Sequence, residues 1–344
     1  MNQSPAMDNK SLSVVVPMYH EADNVERLID AVHQGLESYA GPWELICVDD
    51  GSSDGTGARL KAAIEKYGNH LRVIMLRRNF GQTAAMQAGI DAARGALIAT
   101  MDGDLQNDPT DIPRMIRELE ERDLDMIQGW RRERHDDRVR KAFSRVANRL
   151  IAKVTGVNLH DYGCSLKIYR SEIIKEVRLF GEMHRFIPVW VAGVTSPSRI
   201  GETVVNHNPR IFGTSNYGLS RTFRVVLDLL AVFFFLRFRA RPGHFFGSIG
   251  LTFGAFGGGI LSYLLVIKYT MGEDIGGRPL LFVGILLMVA SVQLLTTGVI
   301  AEMLSRIFYQ SEDRQPHSIG WQQDPELSSW YQTAQPDQDA DSSE

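Results

Sequence analysis

The stretch Ala99-Thr100-Met101-Asp102-Gly103-Asp104-Leu105-Gln106 is an apolar run that ends in two carboxylates and an amide. It predicts a β-strand that delivers Asp102 and Asp104 onto a turn, and their offset of two residues predicts that both side chains point the same way. Hard oxygen ligands of this kind suit Mg²⁺ or Mn²⁺ carrying a diphosphate. Because Asp-x-Asp alone is equally compatible with a solvated turn, the neighbouring sequence must decide.

Two more apolar runs end in polar loops. Residues 43–48 are followed by the acidic run 49–56, and residues 12–17 are followed by residues 18–21. Helices predicted at 23–39, 54–66 and 82–94 and a strand at 71–76 complete an alternation typical of a mostly parallel sheet covered on both faces. Ligands bind beyond the carboxyl ends of such strands, so the three loops are expected to converge on one ligand. The loop 77–81 is either a fourth wall of that site or a solvated turn.

Three motifs carry a resemblance to a known family: Val16-Pro17-Met18-Tyr19-His20-Glu21, Val48-Asp49-Asp50-Gly51-Ser52-Ser53-Asp54-Gly55-Thr56 and Asp102-Gly103-Asp104-Leu105-Gln106. They resemble the inverting family 2 glycosyltransferases with the GT-A fold. Within that family they are most similar to the polyprenyl-phosphate glycosyltransferases, the group of dolichol-phosphate mannose synthase, bactoprenol glucosyltransferase and the aminoarabinose lipid transferases. The resemblance implies a Rossmann-like α/β catalytic domain.

The resemblance also implies a donor site. The residues expected at the donor nucleotide are Pro17, Tyr19, Glu21, Asp50, Asp102, Arg210 and Ser215. Those expected at Mg²⁺ or Mn²⁺ are Asp102, Asp104 and Gln106. UDP is expected over GDP because most of the family uses it. Residues 208–217 resemble a mobile loop that closes over the diphosphate, although Asn216 stands where relatives usually have Lys.

An acceptor site is implied by the segments that follow. Arg131, Arg140 and Ser144 are similar to the acceptor-phosphate positions, within a basic cluster that could equally be a solvated helix face. Asp161 aligns with the family's acidic residue near the acceptor and is expected to position it or act as base; the alternative is a turn cap. The expected catalytic residues are therefore Asp161, Asp104, Arg131 and Arg140, with His184 and Arg185 beneath the donor sugar.

Two runs of 23 residues, 245–267 and 279–301, contain no charged side chain. Each would be ~35 Å long as a helix, enough to cross a hydrocarbon core of ~30 Å, so they predict a transmembrane hairpin. Gly250, Gly254 and Gly258 form a small-residue ridge whose partner is either the second span or another subunit. Residues 217–243 mix arginines with apolar residues, which favours an amphipathic helix in the membrane interface over a third span.

The predicted organisation is a catalytic domain at 1–216, an interfacial helix at 217–243, the hairpin at 244–305 and an acidic, partly disordered tail at 306–344. Arginines flanking the hairpin favour a cytoplasmic catalytic domain and tail at the inner (plasma) membrane. Residues 310–344 of the tail contain eight acidic residues and one arginine, and no chemistry is assigned to the tail. Cys47 and Cys164 are the only cysteines, so no disulfide framework is implied.

The sequence therefore predicts transfer of a sugar, with inversion, from a nucleotide-diphosphate sugar to a polyprenyl phosphate. The expected partners are these two substrates and membrane lipids, with a homo-oligomer as an option and no nucleic acid. Two alternatives stay open: a membrane glycosyltransferase that uses another lipid or a polysaccharide as acceptor, and a non-catalytic scaffold that binds nucleotide sugars.

Overall fold

The computed structural model describes residues 11–132, 152, 156–179, 181, 183–208, 242–310, 317–323 and 328–332. The chain divides into two compact units. One comprises residues 1–225 together with 315–344, and the other comprises residues 226–314. The first unit is therefore discontinuous in sequence, because the chain leaves it and later returns.

The first unit is built on one eight-stranded sheet. Its strands are β1 (Leu12–Met18), β2 (Trp43–Asp49), β3 (Leu71–Leu76), β4 (Leu97–Thr100), β5 (Met126–Trp130), β6 (Lys167–Arg170), β7 (Ile200–Val204) and β8 (Ile319–Gln322). They lie in the order β7-β5-β6-β4-β1-β2-β3-β8. The four neighbours β4, β1, β2 and β3 are parallel, as is the pair β5 and β7. Strands β6 and β8 run antiparallel to their neighbours.

The helices of this unit are α1 (Val25–Gly35), α2 (Thr56–Tyr67), α3 (Gln82–Ala92), α4 (Asp111–Glu121), α5 (Ser171–Glu176) and α6 (Ile187–Val191). Helix α1 buries Val25, Leu28, Ile29 and Val32, which recur at the spacing of one helix face. It is shorter than the predicted 23–39, because Ala22–Asn24 form a 3₁₀ turn before it and the helix ends at Gly35. The predicted strand 71–76 is observed with the same bounds.

Strands β1 and β2 are buried along their whole length, as central strands covered on both faces must be. The charged residue Glu44 is fully buried in β2. Its carboxylate accepts hydrogen bonds from Ser13 of β1 and from the guanidinium groups of Arg72 and Arg94. Burial alone would raise the pKa of Glu44, but the charge of Arg72 and these hydrogen bonds hold it below its ordinary value. The pairing joins β1, β2, β3 and the turn before β4.

The second unit contains two long helices, α7 (Pro242–Met271) and α8 (Pro279–Gln310), which enclose the predicted spans. Both are long and apolar enough to cross a membrane. Their outward side chains are large and exposed, among them Leu251, Phe256, Leu286 and Val289. A helix of a soluble core would bury such a surface, so the hairpin has the surface of a membrane anchor.

Glycines let α7 and α8 approach closely. A Cβ added to Gly250 would lie 3.1 Å from Leu295 Cγ, and one added to Gly254 would lie 2.8 Å from Ser291 Oγ. The third member of the ridge is Gly257, not Gly258 as expected: a Cβ at Gly257 would meet the Gly284 carbonyl oxygen at 3.0 Å, whereas one at Gly258 meets nothing within 4 Å. Spacings of four and then three residues follow a 3.6-residue helix better than two spacings of four. Within the hairpin, the ridge's partner is the second span.

Two further predictions concern the segments around the hairpin. The interfacial helix expected at 217–243 lies outside the described residues as far as residue 241, and residues 242 and 243 begin α7. Part of the tail belongs to the first unit. Strand β8 pairs with β3, and Tyr331 forms an isolated antiparallel bridge with Trp43.

The hairpin packing predicts different effects for two neighbouring glycines. Gly257→Val should lower the thermal midpoint of the detergent-solubilised protein, because overpacking of a tight contact costs about 1–3 kcal/mol. Gly258→Val makes the same chemical change on an open face and should leave the midpoint nearly unchanged. Circular dichroism melting of both variants measures this, and equal midpoints would contradict the assigned helix face.

Candidate active site

The carboxyl ends of β1, β2 and β4 meet at one edge of the sheet because the strands are parallel. The loops that follow them enclose a cleft of about 300 Å³. Its walls are formed by the end of β1 and by the loops after β1, β2, β3 and β4. They consist of Pro17 and Met18 at the end of β1, Tyr19 and Glu21 after β1, Asp50 after β2, Asn79, Gly81 and Gln82 after β3, and Asp102, Gly103 and Asp104 after β4. The three predicted loops do converge, and the loop after β3 joins them.

Asp102 and Asp104 line the cleft together, but strand alternation is not the reason. Strand β4 ends at Thr100, so both residues belong to a turn. Leu105 has a φ of 61°, in the left-handed region that branched side chains rarely adopt. The N–H of Gln106 donates to Asp104 at 3.2 Å and its carbonyl accepts from Asn208 at 2.9 Å. Gln106 is thus adjacent to the acidic pair, although the cleft walls, as far as the chain is described, do not include it.

The Asp102 carboxylate accepts a hydrogen bond from Gln82 Nε2 at 2.7 Å and another from the Ser165 hydroxyl. Burial and the neighbouring charge of Asp104 raise the pKa of Asp102 above its ordinary value. Two carboxylates crowded at one turn form a site where a divalent cation would relieve the repulsion, and their oxygens are the ligands such cations prefer. Within the described residues no third acidic, histidine or cysteine side chain completes a metal cluster, so other ligands would have to come from an amide, substrate or water.

Asp50 is fixed by the loop after β3. Its carboxylate accepts the backbone N–H of Phe80 at 2.8 Å and that of Gly81 at 2.9 Å. Burial and the adjacent Asp49 nevertheless raise its pKa. Gly51, at a φ of 68°, lies so close to the backbone of Arg78 that any Cβ would collide with it. The Asp50 turn and the loop 77–81 are therefore packed as one wall.

The loop after β1 supplies the opposite wall. Tyr19 is 45% exposed and stacks on His20 with ring centroids 4.0 Å apart, which leaves a flat aromatic surface at the cleft. The N–H of Glu21 donates to Thr56 Oγ1 at 3.0 Å, at the start of α2. That contact joins the β1 loop to the β2 loop.

Arg131 and Asp161 form an ion pair that sequence spacing could not reveal. Arg131 Nε donates to one carboxylate oxygen at 2.8 Å and Nη2 donates to the other at 3.1 Å. The side chains are 14% and 4% exposed. Burial would lower the pKa of Arg131, but the hydrogen bond and charge of Asp161 raise it. The charge of Arg131 also acts on Asp102, where it partly offsets the rise in pKa that burial causes.

The remaining predicted site residues divide into two groups. His184 is described: its Nδ1 lies 2.7 Å from Thr83 Oγ1, one residue beyond the cleft residue Gln82. The others are Arg140, Ser144, Arg210 and Ser215, which lie outside the described residues, and Arg185, whose side chain does too.

The structure adds residues that the sequence did not single out. Gln82 lines the cleft beside Asn79 and Gly81 of loop 77–81, the loop that was expected to be either a fourth wall or a solvated turn, and Ser165 contacts Asp102. Lys167 of β6 is 2% exposed; its ammonium group donates to the Cys164 carbonyl and interacts electrostatically with Asp102 and Asp161. Gln82 directly follows loop 77–81, and the position of that loop at the carboxyl end of a strand was the sequence feature that could have identified it as a cleft residue. Lys167 lies within a strand, and no feature of the sequence identified it as a site residue.

Comparison with known proteins identifies the family. The family model described as glycosyl transferase family 2 matches residues 13–178. A dodecaprenyl-phosphate galacturonate synthase from Rhizobium johnstonii is 58% identical over 90% of this chain and 91% of its own length. An undecaprenyl-phosphate 4-deoxy-4-formamido-L-arabinose transferase from Yersinia enterocolitica is 32% identical over 87% of this chain and 89% of its own. The chain belongs to glycosyl transferase family 2.

Solved structures agree on the fold. Glucosyl-3-phosphoglycerate synthase from Mycobacterium tuberculosis superposes with a TM-score of 0.50 at 19% identity, over 65% of this chain and 78% of that one. Mannosyl-3-phosphoglycerate synthase from Rubrobacter xylanophilus gives 0.51 at 18% identity, over 67% and 78%. The predicted GT-A fold and glycosyltransferase class are confirmed.

The raised pKa of Asp102 predicts that its charge destabilises the metal-free protein. Stability should fall as pH rises through that pKa, so Asp102→Asn should raise the melting temperature in EDTA at neutral pH, by roughly 2–4 °C per kcal/mol of relieved repulsion. The gain should shrink as the pH falls through that pKa and the carboxyl becomes protonated. Differential scanning fluorimetry in detergent across pH measures it. Asp108→Asn, outside the cleft walls, is the control, and a variant that melts below wild type at pH 7 would contradict the prediction.

The Arg131–Asp161 pair predicts non-additive mutations. Arg131→Ala should lower the free energy of unfolding by about 3–5 kcal/mol, because it leaves a buried carboxylate without its partner. Arg131→Ala combined with Asp161→Ala should recover part of that loss. Urea unfolding of the single and double variants measures the coupling; strictly additive losses would show that the two groups do not interact.

Proposed function

We propose that this enzyme transfers a galacturonosyl group from UDP-galacturonic acid to a polyprenyl phosphate. The relative with 58% identity is named for that sugar and a dodecaprenyl phosphate, and relatives with 32–33% identity are named for an undecaprenyl-phosphate reaction with a different sugar. Both reactions have a polyprenyl phosphate in common, which supports the acceptor class. The higher identity over nearly the whole chain favours the uronic acid as the sugar.

The observation that carries the proposal is the proximity of Arg131 to the acidic turn. Arg131 is paired with Asp161 and still interacts with Asp102. A guanidinium group has five N–H donors, and the two hydrogen bonds to Asp161 use two of them. An acceptor phosphate at Arg131 would therefore lie beside a donor held at Asp102 and Asp104, which is the juxtaposition that direct transfer needs.

Donor binding is assigned to the cleft walls. Asp50, held by Phe80 and Gly81, would receive the nucleoside, and the exposed ring of Tyr19 offers it a flat apolar contact. Asp102, Asp104 and Gln106 would hold Mg²⁺ or Mn²⁺ at the diphosphate. When bound, such an ion neutralises the charge that develops on the leaving diphosphate. Gln82 orients Asp102 for that role.

The reaction itself requires little proton transfer. An oxygen of the polyprenyl phosphate attacks the anomeric carbon, a new C–O bond forms with inversion, and the bond to UDP breaks with its electron pair passing to the diphosphate. Because the nucleophile is already ionised at neutral pH, a general base is not required. Asp161 would act by fixing the Arg131 guanidinium, and Arg131 by reducing the repulsion between two phosphorylated substrates.

The membrane arrangement follows from the same chemistry. A polyprenyl phosphate is anchored in lipid, and the hairpin of α7 and α8 has the exposed apolar surface of a membrane anchor. We assign the catalytic unit to the cytoplasmic face of the inner membrane, where nucleotide sugars are made. The arginines at 237, 239 and 241 support this orientation by the positive-inside bias.

Transfer of a radiolabelled sugar tests the proposal. Label from UDP-galacturonic acid should enter a mild-acid-labile, organic-extractable product when dodecaprenyl or undecaprenyl phosphate is present, and EDTA should stop it. Asp104→Ala should lower the rate by more than about 100-fold, and Gln82→Ala, one contact further from the ion, by roughly 10–100-fold. A full rate in Asp104→Ala would refute the metal assignment.

The choice of sugar and acceptor is tested in the same assay. UDP-glucose and a UDP-aminoarabinose serve as competing donors, and diacylglycerol serves as a competing acceptor. Transfer of either competing sugar in preference to galacturonic acid would overturn the donor assignment. Transfer to diacylglycerol, or donor binding without turnover, would overturn the polyprenyl-phosphate assignment.

A further inference from the structure

The tail after α8 covers an edge of the catalytic sheet. Strand β8 pairs antiparallel with β3, with Met75 opposite Trp321 and a bulge at Gly320. The ladder continues beyond the strand: Arg77 N–H donates to the Ser318 carbonyl at 3.0 Å, and Gln323 N–H donates to the Val73 carbonyl at 3.1 Å. Without β8, β3 would be the last strand of the sheet, with one side unpaired.

A second tail segment is anchored further along the same unit. Tyr331 and Trp43 exchange two backbone hydrogen bonds of 2.8 and 3.0 Å. The Tyr331 ring packs against Trp43, His33 and His70, with centroids 4.8–5.0 Å apart. The ammonium group of Lys61 lies 4.3 Å from the centre of the Trp321 ring. The tail is thus held by backbone pairing and by aromatic contacts at two separate places.

The first of these two contact regions, formed by β8, includes Arg77, the residue at which loop 77–81 begins. Arg77, the first residue after β3, is bonded to the tail twice, since its Nε also donates to the Ile319 carbonyl at 3.2 Å. Four residues later the same loop presents Gly81 to the cleft, and its N–H groups hold the Asp50 carboxylate. The loop 77–81 therefore lies between two supports, the Asp50–Gly51 turn on one side and the tail on the other.

We propose that residues 317–323 and 328–332 of the tail are a positioning element of the donor site, which fixes loop 77–81 in the conformation that lines the cleft and orients Asp50. This inference rests on the proposed function, because it takes the cleft ligand to be a nucleotide sugar. Ordering a loop residue costs conformational entropy, and preformed sites avoid that cost during binding. The tail accordingly acts on donor affinity and leaves the chemical step alone.

Tail variants of the full protein test this. A chain ending at Gln310 should show a donor KM roughly tenfold higher, with kcat and the acceptor KM within about twofold of wild type. A chain ending at Gln332 keeps both anchors and should match wild type. A synthetic peptide spanning Gln315–Gln332 should restore donor KM in the shorter chain. A strand that only stabilises the fold would lower the melting temperature with donor KM unchanged, and that result overturns the inference.

A point variant keeps the test decisive if the shorter chain does not fold. A Cβ at Gly320 would lie 3.3 Å from Arg77 Cγ and 3.4 Å from the Met75 carbonyl oxygen, so Gly320→Val should displace the bulge and raise donor KM in the same direction. Gly277→Val, at an open position between α7 and α8, is the matched control. An unchanged donor KM in Gly320→Val overturns the proposal.

Hydrogen exchange separates this inference from the proposed function. The amides of Phe80 and Gly81 should exchange faster in Gly320→Val and in the chain ending at Gln310 than in wild type, without any ligand present. Equal exchange in all three proteins overturns the inference whatever the enzyme binds. If wild type binds none of the nucleotide sugars while the exchange rates still differ, the proposed donor is wrong and the tail's role in positioning loop 77–81 stands.

Discussion

The site depends on one geometric constraint: β1, β2 and β4 are parallel, so their carboxyl ends lie at the same edge of the sheet. That constraint brings the loop with Asp49 and Asp50 to the same edge as the turn with Asp102 and Asp104. Burial and the charge of Asp49 raise the pKa of Asp50, and burial and the charge of Asp104 raise that of Asp102. Asp50 and Asp102, the two carboxylates with a raised pKa, each accept hydrogen bonds. Asp50 receives two backbone N–H groups, and Asp102 receives Gln82 and Ser165. The structure holds these charges in place and leaves a site where a cation is favourable.

Positive charge enters the site from the other half of the sheet. Strands β5 and β6 bring Arg131 and Lys167 towards the acidic turn, and Asp161 pairs with Arg131. A buried pair of this kind adds little net stability, because desolvation offsets its attraction. Its value lies in orientation: the guanidinium group is held by two hydrogen bonds with its charge still able to act on Asp102. Acidic side chains follow β4, whereas basic side chains belong to β5 and β6. One edge of the sheet therefore carries charges of both signs, as a phosphorylated donor and a phosphorylated acceptor require.

Two separate parts of the chain complete the sheet that carries the cleft. The catalytic unit contains residues from both before and after the helical hairpin. Strand β8, near the C-terminal end of the sequence, is the last strand of the sheet. Glu44 with Arg72 and Arg94 secures the interior of the sheet, whereas the tail secures its β3 edge. The β3 edge of the sheet is thus completed by residues that follow α8.

The sequence by itself determined the parallel α/β core, the two long apolar helices and the acidic turn. These features depend on the local spacing of apolar residues and on the polar residues that follow each apolar run, and both are visible within short stretches of sequence. It also placed Asp50, Asp102 and Asp104 at one cleft, since parallel strands share an edge. The tertiary structure alone decided what those groups contact. Arg131 meets Asp161 thirty residues away, Gln82 meets Asp102 across two strand ends, and Gly257 replaces Gly258 at the helix contact. The pairing of β8 with β3 spans some 240 residues, a separation at which no local pattern specifies a partner and only packing and backbone hydrogen bonding select one.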